Sequence, residues 1–524
     1  MRAEDYKISS EKFVFHSTGE DLHDKKLETK PISWFRDAFN RFARNKASIF
    51  AGIIIIFLVL FAILAPLFTP YTVAYEDANY SSVLPRNKIF RNMGIHFWDG
   101  GQKKDKLSKL TYDQYRAIEL ETGKTVVMTD PEITTETYMK KEKEYYSFRL
   151  DTYSAVGVQY ALVSLDEYKA IQEYQDAHGV QIIYPITDPK QRPEAEQDQN
   201  NANIWYKTKL GEGRKTEIVY NKNGTHEKFG DFIPIYLTES AEYDDGYFSG
   251  MFWEGNEKKY EYAEKKDGDQ FNIRVNYEEY YKYIHAKAGD GIKSPNFIFG
   301  TNDAGKDLFV CLASGARFSF ILAIVVASVN LVTGAIYGAI EGYYGGKTDI
   351  VMERIIEILS SIPMMIVITL LKYHLNVSHV IILFISFFLT GWTGMASTTR
   401  MQFYRFKNQE YVLVARTLGA RDSRIMFKHI FPNAIGTLVT SSVLVIPGVI
   451  FSETSLSYLQ IIDLNTGSMT SVGTLLAKGQ NFLFTYPHMI LFPAIFISLL
   501  MLCFNLFGNG LRDAFNPSLR GTDE

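Results

Sequence analysis

The chain has 524 residues, enough for two or three domains, and its net charge of −4 gives no indication of nucleic-acid binding. It contains two cysteines, Cys311 and Cys503, which lie in no metal-ligand spacing and exclude a disulfide framework. They are expected to be ordinary buried thiols, and no metal site is predicted. The mean hydropathy of the chain is close to zero, but this average combines very apolar end regions with a long polar middle. Such a distribution indicates a membrane protein.

The first 48 residues are predicted to form a cytoplasmic N-terminal region. It is charged and featureless up to Lys30, and then aromatic and alanine residues recur at helical spacing among basic residues from Trp34 to Phe42. This pattern is typical of an interfacial amphipathic helix. The segment Ile49–Phe68 is long and apolar enough to cross a bilayer, so residues 49–69 are predicted as the first span. The preceding region is too long for a secretory signal, and its basic residues favour a cytoplasmic N-terminus.

Residues 70–296 contain no candidate span and hold 24 of the 33 tyrosines. They are predicted to fold as an extracytoplasmic α+β domain. Two similar segments, Thr111–Ile118 and Ser164–Ile171, each open with a capping box and precede a β-branched run. A duplicated helix–strand unit and chance similarity both explain them. Asn276 is expected to open a third helix. The tyrosines fit either a peptide-binding face or the core of a small domain, and the core is favoured.

Residues 297–508 are predicted to form a membrane core with five further spans, and residues 509–524 a cytoplasmic tail. Pro363 is expected to kink the third of the six spans, and Pro447-Gly448 to interrupt the fifth. Acidic residues inside spans are functional candidates by default, but Glu353 and Glu357 also fit the inner interface or a pair with Arg354. The predicted spans are Phe318–Ile340, Ile350–Leu371, Val380–Ala396, Ala434–Tyr458 and Met489–Phe507.

Four glycines of the second span region recur at intervals of four and predict a smooth face for close helix packing. The segment Gly342–Thr348 superficially suggests a phosphate-binding loop, but Glu341 stands where the motif needs its first glycine. No nucleotide site and no catalytic residue is therefore predicted. The glycines are Gly334, Gly338, Gly342 and Gly346.

The polar loop 400–433 carries seven basic residues against two acidic ones, Glu410 and Asp422. Such a bias between two spans marks the cytoplasmic side. The pattern predicts a helix over Glu410–Leu418, a break at Gly419-Ala420, and a second helix that starts near Asp422 and is stopped by Pro432-Asn433. The loop is expected to form a compact knob on the inner face.

Four segments resemble parts of the C-type permease subunits of oligopeptide and dipeptide ATP-binding-cassette importers. The loop resembles their ATPase-coupling loop, although Leu413 and Val414 replace the usual acid and alanine. The stretch before the second span resembles their GTD-x-x-GRD motif, in which Asp307 is expected to make structural hydrogen bonds. The N-terminal segment FRDAFNRFARNKASIFAG and the tail FGNGLRDAFNPSLR complete the match. The matching residues are Glu410, Tyr411, Ala415, Arg416, Gly419, Ala420, Pro432 and Asn433 in the loop, and Gly300, Thr301, Gly305 and Asp307 in the motif.

The resemblance implies an α-helical, type I importer permease in a bacterial cell membrane, with six transmembrane helices and an insertion between the first two. Its implied partners are a B-type second permease, two ATP-binding subunits that hold ATP and magnesium, and an external peptide-binding protein. This chain would bind no cofactor and hydrolyse no ATP, and substrate-binding residues are not predicted. Two alternatives are the permease of a nickel or other small-solute importer and a membrane-anchored sensor with an external ligand-binding domain.

Overall fold

The computed structural model describes residues 34–93, 96–138, 141–184, 208–210, 216–218, 241–244, 247–254, 257–261, 263–265, 270–464 and 469–515. The expectations for the first 30 residues and for the tail beyond Phe515 lie outside these residues. So does Asp188–Asn203, which its Gln, Asp, Asn and Pro content predicts to be an exposed loop.

Sixteen α-helices occur in the described residues, and they are numbered in chain order. They are α1 Trp34–Arg44, α2 Lys46–Leu64, α3 Lys88–Asn92, α4 Lys109–Thr122, α5 Leu165–His178, α6 Tyr277–Ala288, α7 Leu308–Tyr344, α8 Gly346–Ser360, α9 Met364–His374, α10 His379–Gly391, α11 Thr393–Phe406, α12 Glu410–Thr417, α13 Asp422–Arg424, α14 Phe431–Tyr458, α15 Val472–Gln480 and α16 His488–Phe515.

Twelve strands lie between α3 and α6 in the part of the chain that the structure describes. They form a three-stranded sheet of order β1-β3-β2, a second of order β10-β9-β8, a β6-β7 pair and a four-stranded sheet around β12. The strands are β1 Gly101–Ser108, β2 Glu132–Tyr138, β3 Lys141–Asp151, β4 Val158–Ser164, β5 Ile183–Tyr184, β6 Thr208–Leu210, β7 Thr216–Ile218, β8 Ala241–Asp244, β9 Tyr247–Glu254, β10 Glu257–Glu261, β11 Ala263–Lys265 and β12 Gln270–Asn276.

Five helical segments of the described chain are long and apolar enough to cross a membrane: Lys46–Leu67, Leu308–Tyr344, His379–Phe406, Asp422–Tyr458 and His488–Phe515. A sixth candidate is the bent pair α8 and α9, so the structure has five or six spans. The predicted amphipathic helix is confirmed as α1, which ends in Arg44 directly before α2.

The bend predicted at Pro363 is present, but it is a break between two helices, whereas the interruption predicted at Pro447-Gly448 was wrong. The third span is not one kinked helix: α8 and α9 meet at 72°, and Pro363 caps the start of α9. Proline disfavours helical geometry in the residue before it, here Ile362, so the helix ends rather than bends. The fifth span, in contrast, is not interrupted, because α14 continues through Pro447. Membrane helices tolerate proline where neighbouring groups satisfy the freed carbonyl.

The spans pack around one large apolar cluster. It contains buried side chains from α2, α7, α10, α14 and α16, for example Leu58, Leu322, Leu383, Ile450 and Leu500. Many other apolar side chains of these helices are exposed on the outside of the bundle. A bundle that is apolar both inside and outside is what a lipid environment requires.

The segment between α2 and α7 is an α+β insertion with small cores of its own. Ser164 caps α5 as predicted, but α4 is capped by Ser108 instead of Thr111. Ser108 already accepts the hydrogen bond from the Thr111 amide, so the helix starts earlier than the capping box suggested. Asn276 opens α6 as expected. Tyr71, Tyr80, Tyr153, Tyr277 and Tyr281 are buried together, which confirms a tyrosine-rich core.

The insertion and the 400–433 loop lie at opposite ends of α7. A helix of 37 residues is about 55 Å long, more than a bilayer core. Its first residues contact the insertion, since Val310 belongs to the tyrosine-rich core. Its last residue but one, Tyr343, packs under the loop with Val412 and Ile425. The two regions therefore lie at opposite ends of a helix that is long enough to cross a bilayer.

Candidate coupling site at the 400–433 loop

The loop is a compact helical knob between α11 and α14. α12 ends at Thr417, the chain turns at Gly419, and α13 begins at Asp422. The buried side chains of Val412, Ile425, Met426 and Ile430 form one cluster with Phe403 of α11 and with Ala339 and Tyr343 of α7. Since this cluster joins the loop to two spans, the knob cannot tilt without moving them.

Polar contacts hold the knob to the end of α7. The Tyr343 hydroxyl donates to Oδ1 of Asp422 at 2.7 Å, and the Lys407 ammonium donates to the carbonyl of Gly342 at 2.9 Å. Burial lowers the pKa of Lys407. The guanidinium of Arg416 lies 5.8 Å from the centre of the Tyr343 ring, within cation–π range. Arg416 and Asp422 therefore reach the same tyrosine from the two arms of the knob.

The turn depends on Gly419, whose φ of +77° lies in the left-handed region. Its amide donates to the carbonyl of Arg416 at 3.0 Å, and the amide of Ala420 donates to that of Ala415 at 3.1 Å, which closes the end of α12. No atom lies within 4 Å of the position that a Cβ would take, so the site has open space around it. A side chain here would point away from the knob.

Pro432-Asn433 does not stop the second helix, contrary to the sequence prediction. A π-helical turn over Ile425–Ile430 leads directly into α14, and Phe431 donates to the carbonyl of Met426, five residues back. Proline normally clashes with the carbonyl four residues before it, and the wider π turn relieves that clash. Pro432 therefore stands in the first turn of a helix that extends from the loop to the far side of the bundle.

Asn433 links the two arms of the knob. Its side-chain amide donates to the carbonyl of His429 at 2.8 Å and to the hydroxyl of Tyr411 at 3.2 Å. Burial raises the pKa of Tyr411, and the hydrogen bond from Asn433 lowers it in part. Within α12, Ala415 is buried on the face that packs against the rest of the knob, and Glu410 is exposed in the first turn. An acid in the first turn interacts favourably with the helix dipole. The predicted loop residues are thus brought together in one structure.

The outer surface of the knob is apolar for a segment between spans. Leu418 is 82% exposed at the turn, and Leu413, Val414 and Phe427 are also exposed. Leu413 and Val414 are the two residues that depart from the family pattern in the sequence. Exposed apolar surface of this kind is typical of a site of protein–protein or membrane contact.

The glycine face of α7 packs against α11, directly before the loop. A Cβ at Gly334, Gly338 or Gly342 would collide with Met395, the Ala396 carbonyl or Phe403 respectively. Gly346 does not share this face, because α7 ends at Tyr344 and Gly346 starts α8 with a φ of +58° and nothing near its Cβ position. The spacing of four residues continues to Gly346 in the sequence, but α7 ends before it, so the spacing there does not indicate a shared helix face.

Arg400 of α11 lies at the centre of an ion cluster that sequence reasoning missed. Its Nε atom lies 2.6 Å from Oδ1 of Asp349 and 3.2 Å from Oε1 of Glu341, and its Nη1 atom lies 3.4 Å from Oε2 of Glu353. Glu341 is fully buried. The cluster therefore ties α7 and α8 to the helix that enters the knob.

Two other acids of the spans make local contacts. Glu357 forms an ion pair with Arg354, one of the two readings left open by the sequence. Glu453 of α14 is fully buried and accepts hydrogen bonds from Ser319 at 2.7 Å and from Ser457 at 3.1 Å. Buried carboxylates need such partners.

The motif before α7 clamps the two ends of the insertion together. The Thr301 hydroxyl donates to the carbonyl of Tyr80 at 2.5 Å and accepts from the amide of Val83 at 3.0 Å. The Thr301 amide donates to the carbonyl of Val83, also at 3.0 Å. Gly300 and Gly305 have positive φ, and a Cβ on either would collide with the backbone of Val83 or Asp77. Thus the chain that leaves α2 is fixed to the chain that enters α7.

Asp307 caps α7, and its side chain makes the structural hydrogen bonds that the sequence predicted. Its carboxylate accepts from the Phe309 amide at 2.9 Å and from the Thr69 hydroxyl at 3.4 Å. Burial raises its pKa to about 7. Thr69 follows the first span, so this contact joins the same two spans as Thr301 does.

Comparison with known proteins places the chain in a family. Residues 330–521 match the binding-protein-dependent transport system inner membrane component, and residues 33–86 match the N-terminal transmembrane domain of oligopeptide transport permease C. The chain is 42% identical over 227 residues to the oligopeptide transport system permease protein OppC of Bacillus subtilis. The alignment covers 43% of this chain and 73% of that protein. The chain is 41% identical over 224 residues to the protein of the same name from Haemophilus influenzae, covering 43% and 71%.

Among solved structures, similarity extends to inward-facing conformations of the MetNI methionine ABC transporter, at 14% identity and a TM-score of 0.32. That alignment covers 39% of this chain and 96% of the other. The family matches and the two relatives agree with the spans and the loop described above. The chain therefore belongs to the family of inner membrane components of binding-protein-dependent transport systems, as a multi-pass, type I ABC permease related to oligopeptide permease C.

Proposed function

We propose that this chain is a transmembrane permease subunit of an ATP-driven peptide importer in a bacterial cell membrane. It forms half of the translocation channel, and a second permease forms the other half. Two ATP-binding subunits, which hold ATP and magnesium, dock on the knob, and an external binding protein delivers the peptide. This chain performs no covalent chemistry. The assignment of peptide as substrate rests on the names of its relatives, which are oligopeptide permeases.

The observation that carries the proposal is the mechanical connection of the knob. Its core includes Phe403 of α11 and Tyr343 of α7, and its second arm continues into α14 without a break. Movement of a partner bound to the exposed Leu413, Val414 and Leu418 is therefore passed to three spans at once. Rigid elements that move as a unit are a common means of switching access to a cavity.

The uptake of two solutes tests the function. Vesicles that contain this chain with its partner subunits and binding protein should take up radiolabelled trialanine when ATP is supplied, and should not take up radiolabelled Ni²⁺. A nickel importer would give the reverse pattern. A membrane-anchored sensor would give uptake of neither and no co-purification with ATPases. Omitting ATP provides the background rate for each solute.

The proposed orientation places the knob and both termini in the cytoplasm and the insertion outside. Arg41, Arg44, Lys46, Arg416 and Arg512 all lie at the knob end of the bundle, where α1 and the start of α2 pack beside the end of α16. An excess of basic residues at one end of the spans marks the cytoplasmic side.

Cysteine labelling from the external medium tests this orientation. A thiol at the exposed Glu173 of α5 should react with a membrane-impermeant maleimide in intact cells, and one at the exposed Ser423 of α13 should react only after lysis. The native Cys311 and Cys503 are buried, which keeps the background low. Reaction of the Ser423→Cys protein in intact cells would reverse the orientation.

A further inference from the structure

A cleft of about 460 Å³ lies between the insertion and the segment that leads into α16. One wall is formed by β1 and the other by residues of Phe484–His488. The side-chain amide of Gln102 donates to the carbonyl of Thr485 at 3.0 Å and joins the two walls. The cleft is large enough for a small organic ligand and is assigned no role by the coupling mechanism.

The cleft runs along the free edge of β1. This strand is at the end of the sheet order β1-β3-β2, so its second edge pairs with no other strand of the described residues. All five residues from Gly101 to Asp105 line the cleft. Because successive side chains of a strand point to opposite faces, a cleft that contacts five residues in a row follows the edge and not one face.

The register leaves the backbone of Lys103 directed away from β3. The Thr152 amide donates to the carbonyl of Gly100, which makes the pairs Gly100–Thr152 and Gln102–Leu150 the closely hydrogen-bonded ones. The backbone groups of Gly101 and Lys103 then point to the free edge. Those of Gly101 are satisfied by Asp99 and Arg149. Lys103 offers its amide and carbonyl to an incoming chain.

The charges beside the edge favour a carboxylate. Lys104 lines the cleft half-buried, burial lowers its pKa, and no acid lies within ion-pair distance of its ammonium among the described residues. The neighbouring Lys103 is paired with Asp105 at 2.9 Å, and His96 faces Asp99 at 3.2 Å. Lys104 is thus the cation at this cleft that lacks a counter-ion from the described chain.

The opposite wall supplies an apolar contact. The ring of Phe484 is 98% exposed, although it is the largest apolar side chain of the segment. His488 is almost fully buried and its Nε2 atom faces the Thr301 carbonyl at 3.1 Å, so this nitrogen carries the proton. The other nitrogen, Nδ1, has no hydrogen-bond partner among the described residues, but it is enclosed by protein and closed to a ligand in the cleft. Phe484 is therefore what this wall offers to a bound molecule.

We propose that this cleft binds a short peptide in extended conformation, which pairs with the Lys103 backbone as an added strand and places its carboxylate on Lys104. The inference rests on the proposed import of peptides and identifies a binding site for them on the insertion. Strand addition suits peptides of varied sequence, because the hydrogen bonds involve only the backbone. Phe484 would cover one side chain of the bound peptide.

The test uses the full-length chain in lipid nanodiscs and trialanine with a fluorophore on its N-terminus. Lys103→Pro removes the amide and obstructs the edge, and we expect binding about tenfold weaker or more. Thr135→Pro is the matched control. Thr135 is an exposed residue of β2, the other edge strand of this sheet, and by the same reasoning its backbone points away from β3. The Thr135→Pro protein should bind the peptide as tightly as the parent does. Unchanged binding by the Lys103→Pro protein would overturn the proposal.

Two further arms separate the contacts. The C-terminal amide of the same peptide should bind the parent severalfold more weakly than the acid, and Lys104→Gln should remove this difference. Phe484→Ala, at a fully exposed position that cannot affect folding, should weaken both peptides. A difference between acid and amide that persists in the Lys104→Gln protein would contradict the assigned role of Lys104. If the parent transports trialanine but does not bind it in nanodiscs, the cleft proposal fails and the proposed function stands. If the parent binds trialanine but does not transport it, the cleft proposal stands and the proposed function fails.

Discussion

Gly419→Arg is expected to fold and insert normally but to lose ATP-driven uptake by more than tenfold. The positive φ of Gly419 makes any other residue unfavourable by about 1 kcal/mol, which a membrane protein of this size tolerates. The space around its Cβ position is open, so the new side chain extends from the knob beside Leu418. A long charged side chain on the docking surface should then block the ATPase subunit. Uptake and ATPase co-purification measure the two effects.

Gly419→Ala is the matched control, because it has the same backbone strain without the bulk. It should retain most of the uptake and of the ATPase association. Glu410→Ala should have an intermediate effect, since it removes an exposed acid from the first turn of α12 and leaves the turn intact. The coupling assignment is wrong if the Gly419→Arg protein transports at the parental rate.

Arg400→Ala is expected to destabilise the protein by on the order of 2 kcal/mol. It would leave Glu341, Asp349 and Glu353 close together without their shared cation. Removing one partner of a buried ion pair is costly because the remaining charge has lost its compensation, and the expected value is reduced here since Arg400 is 27% exposed. Thermal unfolding of the purified protein in detergent measures the effect.

A second substitution identifies the cause. Glu341→Gln in the Arg400→Ala protein removes one of the uncompensated charges and should restore part of the stability, which is the signature of two coupled sites. Arg405→Ala is the control for loss of an arginine from the same helix; Arg405 is exposed and its loss should change stability by no more than about 0.5 kcal/mol. Equal melting temperatures for the Arg400→Ala and parent proteins would contradict the role of the cluster.

Sequence reasoning succeeded where a structure depends on neighbours in the chain. The amphipathic helix that starts at Trp34, the capped helix at Ser164 and the turn at Gly419 are each determined by a few consecutive residues. Periodicity and length were likewise enough to find five of the six predicted spans, whereas the third is a bent pair of helices. The family motifs appeared in the expected order for the same reason, since each is a short local pattern.

It failed where the outcome depends on contacts from another part of the chain. The pairing of Arg400 with Glu341 joins two spans, and no spacing in the sequence indicates it. Pro363, Pro432 and Pro447 carry the same local signal, yet the first ends a helix, the second begins one, and the third lies inside one. The local sequence alone therefore does not determine the effect of a proline on a membrane helix.

The hydrogen bonds between Thr301 and the segment Tyr80–Val83 make the length of the insertion unimportant to the spans. Because the two chains are already fixed to each other at the membrane, whatever lies between them is a closed loop tied at its base. The entropy of closing such a loop rises only with the logarithm of its length, by about 0.6 kcal/mol for each doubling. Evolution can therefore enlarge, trim or exchange this domain without altering the transport machinery beneath it.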